Sequence, residues 1–132
     1  MNIVLVPGLM CDAAVWREQA AGLGAIGDVV IADHGDCDTL GGMAEKILVS
    51  APPSFALAGH SMGGRVALEV VARAPRRVTR LALLDTGFEA LAPGEAGERE
   101  RAGRMRLLAM ARSRGMRPMA EDWARGMVHP AR

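Results

Sequence analysis

The stretch Phe55-Ala56-Leu57-Ala58-Gly59-His60-Ser61-Met62-Gly63-Gly64-Arg65-Val66-Ala67-Leu68 decides the fold. Phe55 to Ala58 is a short apolar run, the pattern of a strand covered on both faces, and from Met62 to Ala74 the pattern is helical, stopping before Pro75. Between them lies Gly-x-Ser-x-Gly. A serine at so sharp a strand-to-helix turn takes a strained backbone conformation, with its Oγ projected above the sheet. Gly59 and Gly63 stand two residues either side of it, where a Cβ is expected to collide as the helix folds back past the strand. Gly64 lets the helix approach a neighbouring strand closely. The helix N-terminus adds a positive dipole beneath the hydroxyl, and the Met62 amide is aimed where an oxyanion would form. The plain alternative is a tight Gly-rich turn with no chemistry.

Working outward, Ile3 to Val6 and Val29 to Ala32 are further apolar strand patterns, and Val78 to Leu84 is a fourth. Asp12 to Ala21 has helical character, with Asp12 as N-cap and Val15, Trp16 and Gln19 near one face. Gly22 to Gly27 reads as a loop, and Asp33-His34-Gly35-Asp36 as turn chemistry. Leu40 to Val49 is amphipathic, with Met43, Ile47 and Leu48 inward, and is closed by Pro52-Pro53. Strand and helix thus alternate through four strands. This predicts an α/β fold, a parallel sheet of about four strands with helices on both faces, since uniformly apolar strands need two covered faces.

After Asp85-Thr86-Gly87 no strand pattern remains. Glu98 to Arg114 is rich in Arg and Glu, with Met105, Leu108 and Ala109 expected on one side. Met105, Met110, Met116, Met119 and Met127 fall in this part, and such adaptable side chains suit a helical layer packed on something apolar. Core packing and a mobile lid are both open. The expected organisation is a core over 1–87 followed by a helical cap or lid segment over 88–132.

The 132 residues suffice for one domain with a single core, and half of them are apolar. Sixteen basic against fifteen acidic side chains give a net charge of +1, which offers no electrostatic case for nucleic acid. With no tyrosine and 3% aromatics, stacking platforms are not expected either. No apolar run approaches the roughly 20 residues of a membrane span. The opening Met1 to Gly8 reads as a strand and turn, without the basic region of a signal peptide. Cys11 and Cys37 lack metal or redox spacing and read as free thiols in a reducing cytoplasm.

Leu5-Val6-Pro7-Gly8-Leu9-Met10 with Trp16, Gly59-His60-Ser61-Met62-Gly63-Gly64, and Leu81-Ala82-Leu83-Leu84-Asp85-Thr86 together resemble the α/β-hydrolase superfamily, esterase-like members included, over Ile3 to Gly87. The resemblance implies that Ser61 is a nucleophile on an elbow and that the amides of Leu9 and Met62 form an oxyanion hole. It also implies a small-molecule acyl or ester substrate, no metal and no organic cofactor. Pro7-Gly8 stands where the family usually has His-Gly. The Arg- and Met-rich tail resembles the family's helical cap. In the family the acid and the histidine follow the serine on later strands, so the chain reads as the N-terminal part of such an enzyme.

His60 lies inside the elbow, His34 after the second strand, at the correct edge of the sheet but on the far side from the elbow, and His129 in the tail, seven residues after Asp122. Asp85, ending the fourth strand, is a candidate acid, and a Ser61-His129-Asp85 site requires the tail to fold back over the sheet. Gly22-Leu23-Gly24-Ala25-Ile26-Gly27 spells a dinucleotide fingerprint, but a helix precedes it and a strand follows, the reverse of what pyrophosphate binding needs. Asp33-His34-Gly35-Asp36-Cys37-Asp38 reads as a solvated turn, since no distant ligand completes a metal site. The two expectations are a serine hydrolase of the carboxylesterase type and, alternatively, a catalytically incompetent binding or assembly domain. The latter would self-associate, or take a partner segment, through the open edge of its fourth strand.

Overall fold

The computed structural model describes residues 1–127. The chain divides into two compact units, Met1–Phe88 and Glu89–Arg132. In the first, β1 (Asn2–Val6), α1 (Arg17–Leu23), β2 (Asp28–Ile31), α2 (Leu40–Ser50), β3 (Phe55–His60), α3 (Met62–Arg73) and β4 (Val78–Leu84) follow one another. The strands form one sheet in the order β2-β1-β3-β4, every pair parallel, with Val6 beside Gly59 and His60 beside Leu84. The expected fold class is the observed one.

Alternation along β1 gives the sheet its two cores. Val4 and Val6 face Met43, Ala44 and Ile47 of α2 and Val66, Ala67 and Val70 of α3, together with Phe55 and Leu57 of β3. Ile3 and Leu5 face the opposite way, onto Trp16. Within the first unit that second face carries the 3₁₀ turn Ala13–Trp16 and the short α1, and β3 presents the small Ala56 and Ala58 to it. Arg77, just before β4, ties the first core shut. Its guanidinium donates to the carbonyls of Leu48, Ala51 and Pro52 at 2.7–2.8 Å and lies over the Phe55 ring. Those carbonyls end α2, where backbone acceptors lack intrahelical partners and a cation is favoured.

Several local readings need correction. The Asp12 cap is present, its carboxylate accepting from Ala14 N–H, but it starts a 3₁₀ turn, and Val15 and Gln19 are exposed while Trp16 is buried. The helix runs on through Gly22 to Leu23, so the predicted loop begins later. Gly27 is needed for packing, because a Cβ there would strike the Met1 carbonyl. The expectation of four strands covered on both faces holds for β1 alone. β2, an edge strand, leaves Val30 half exposed, and Leu81, Leu83 and Leu84 of β4 are each about 40% exposed.

The second unit contains α4 (Glu95–Arg114) and α5 (Met116–Arg125), which pack on each other. The inward side of α4 is Leu107, Met110 and Ala111, one helical step away from the predicted Met105, Leu108 and Ala109, all exposed. Met119 is buried and Met105, Met116 and Met127 are open to solvent, so the core-packing reading of the methionines applies to Met119 and, in part, Met110. Asp122 pairs with Arg106 at 3.1 Å, joining the two helices. Among the described residues no helix is long and apolar enough to cross a membrane.

Candidate active site

β3 ends at His60 and α3 begins at Met62, leaving one residue for the whole reversal. Ser61 makes it at φ +54°, ψ −120°, a region that residues with a side chain seldom occupy. A Cβ on Gly59 would strike the Gly63 carbonyl, and one on Gly63 would strike the carbonyls of Val6 and Pro7. A Cβ on Gly64 would meet the Thr86 side chain. The elbow glycines are therefore there to let α3 pass against β3, the end of β1 and the segment after β4.

Two hydrogen bonds from the end of β4 hold the strained residue. Ser61 N–H donates to Leu84 O at 2.9 Å, and the Thr86 hydroxyl donates to Ser61 O at 2.6 Å. Thr86 thus contacts Gly64 and binds Ser61, a supporting role that sequence reasoning missed. A threonine following a predicted strand end was the available signal, but its partner lies 25 residues away.

The loop after β1 reaches the same place. A Cβ on Gly8 would come 3.2 Å from Ser61 Cβ and from the Nδ1 and O of His60. Leu9 follows directly, and Met62 is the first residue of α3, whose N–H has no intrahelical acceptor. Among the described residues neither amide donates to a backbone carbonyl. Gly8, the residue before Leu9, thus comes close to Ser61, and Met62 follows Ser61 directly in the chain.

The remaining candidates divide. Asp85 takes φ +48° at the turn after β4 and is exposed. His34 Nε2 lies 3.0 Å from Pro7 O, and His60 Nδ1 is buried without a partner next to Gly8; neither ring binds Ser61 Oγ. His129 lies outside the described residues. The acidic turn at Asp33 is self-satisfied, Asp33 accepting from Gly35 N–H and lying 3.8 Å from Lys46. Gly22 and Leu23 close α1 and Gly24 to Gly27 lead into β2, so a helix comes before and a strand after, as read.

No protein-family model and no curated protein sequence matches the chain. Solved structures do. An esterase from Thermogutta terrifontis superposes with a TM-score of 0.75 at 24% identity, over 92% of this chain and 48% of its own. Cfl2 from Burkholderia cenocepacia gives 0.62 at 26% identity, over 96% and 47%. The epoxide hydrolase CorEH gives 0.58 at 21%, over 71% and 38%. The chain has the α/β-hydrolase fold and spans about half the length of the first two of these structures.

Proposed function

We propose that the chain is the nucleophile-bearing part of a serine hydrolase of the carboxylesterase type, acting on a small acyl ester. The observation that carries this reading is Ser61 at φ +54° between β3 and α3, with Gly8 of the loop that leads to Leu9 close by. Ser61 Oγ attacks the acyl carbon as its proton passes to a histidine. The carbonyl oxygen becomes an oxyanion held by the two amides, each such donor being worth a factor of about 100 to 1,000 in rate. The C–O bond to the alcohol then breaks, the histidine returns the proton to the leaving oxygen, and water later releases the acid from the acyl-serine. Asp85 is the candidate acid at the same edge of the sheet. The candidate histidine is His129, which lies outside the described residues. The free thiols of Cys11 and Cys37 fit a reducing cytoplasm.

The test is p-nitrophenol release from a short-chain p-nitrophenyl ester by wild type and Ser61→Ala, with mass spectrometry for an acyl adduct on Ser61. Serine-dependent release, or an adduct absent from Ser61→Ala, supports the reading. Equal release and no adduct overturn it for this chain.

One observation favours a second reading, an assembly domain. Among the described residues β4 pairs only with β3, and its leucines are exposed, so its free edge can accept a strand from another copy or segment. Light scattering decides: concentration-dependent mass that Leu83→Arg abolishes supports it, and a monomer at all concentrations counts against it.

A further inference from the structure

The Leu9 amide is only as well placed as its loop. Pro7 has no N–H to give, and Gly8 adds backbone freedom. The loop's own bond is short-range, Cys11 N–H to Gly8 O at 3.2 Å, and Met10 follows at φ +59°. One long-range tie reaches it. His34, in the turn after β2, brings Nε2 to 3.0 Å from Pro7 O, across 27 residues of sequence.

A carbonyl only accepts, so this bond requires the proton on Nε2. Nδ1 is buried and makes no bond within the described residues, so none of them competes for the other tautomer. Pro7 is itself fully buried, and its carbonyl also borders the space that a Gly63 side chain would fill. Pro7 O therefore sits between the His34 ring and the start of α3. The peptide plane that carries Pro7 O also sets the direction in which Gly8 and Leu9 leave β1.

We propose that His34 is a positioning residue for the oxyanion loop, its Nε2–H···O=C bond to Pro7 aiming the Leu9 amide at the carbonyl oxygen attacked by Ser61. This rests on the reading of Leu9 as an oxyanion donor. His34 touches no reacting atom. It acts through Pro7, and a side chain with an N–H at the same reach, glutamine, should replace it.

The test uses the full chain labelled with ¹⁵N, as wild type, His34→Ala and His34→Gln. Long-range ¹H–¹⁵N correlation is expected to show the Nε2–H tautomer. The amide order parameter of Leu9 should fall from about 0.85 to below about 0.6 in His34→Ala, and return in His34→Gln. Amides of α3 should be unmoved in all three. Where Ser61-dependent ester hydrolysis is present, kcat falls about ten- to a hundredfold in His34→Ala with KM little changed, and His34→Gln recovers it. An Nδ1–H tautomer, an unchanged Leu9 amide in His34→Ala, or no recovery in His34→Gln overturns the proposal. If His34→Ala does not fold, the glutamine variant decides alone: a Leu9 amide as ordered as in wild type supports it, a disordered one overturns it. Failure of the hydrolase reading shows separately, as Ser61→Ala matching wild type in turnover and adduct formation.

Discussion

β3 and β4 are neighbours in one parallel sheet and their sequences read alike, Phe55-Ala56-Leu57-Ala58 against Leu81-Ala82-Leu83-Leu84, yet their environments differ. Phe55 and Leu57 are 1% and 2% exposed, whereas Leu81 and Leu83 are 41% and 42% exposed. β3 has a strand on either side and α2 and α3 across its face; β4 has a strand on one side only among the described residues. An apolar run reports the surface a strand is suited to bury. Its place in the sheet decides what covers it.

The largest expected effect lies at the elbow on the β3 side. Gly63→Ala drives a methyl into two backbone carbonyls at the end of β1, which cannot rotate away. It should cost at least about 3 kcal/mol of unfolding free energy, or abolish folding. Urea unfolding read by Trp16 fluorescence in a Trp123→Phe background would measure it, because Trp16 is buried in the first unit. A cost below about 1 kcal/mol would mean that the elbow relaxes.

The paired truncations Leu57→Ala and Leu83→Ala test the comparison directly. The first should cost about 2–5 kcal/mol through lost burial and a cavity, the second under about 1 kcal/mol for a side chain already partly in water. Equal costs would break the contrast and show that β4 is covered in solution.

Arg77→Ala removes three charge-assisted bonds and leaves the carbonyls of Leu48, Ala51 and Pro52 unpaired beneath β3. About 2 kcal/mol of destabilisation is expected by the same unfolding measurement. Ser61→Gly relieves the positive φ and should stabilise by about 1 kcal/mol while removing the hydroxyl proposed as nucleophile. A stabilised, inactive variant would mark Ser61 as a place where stability is given up for geometry. Smallest is Gly103→Ala in α4, where a Cβ meets nothing within 4 Å. A gain of about 0.5–1 kcal/mol in helix stability, read by far-ultraviolet circular dichroism, follows from propensity alone.

Much of the site was legible because its chemistry is local. A serine flanked by Gly59 and Gly63 between an apolar strand and a helix has few conformations open to it. The turn at φ +54° and the clashes that require those glycines follow from that spacing. What stayed hidden acts over distance. Thr86 donates to Ser61 O across 25 residues and His34 binds Pro7 O across 27. Each partner is a backbone carbonyl, which has no residue identity to betray the pairing. The inward side of α4 was also missed, because a helix of alternating Arg, Glu and small residues carries no strong apolar stripe, and packing against α5 decided it.

Sequence by itself determined the alternation of elements, the parallel sheet, and the strand-to-helix turn with Ser61 at its apex, since each rests on periodicity or on steric limits within a few residues. Tertiary structure alone decided the strand order, and with it that β1 and β3 are interior while β4, among the described residues, has a strand on one side only. It also decided which distant side chains brace the turn and the loop around Ser61. Those outcomes depend on which elements come to lie side by side, and close approach in space is set by packing across the whole sheet.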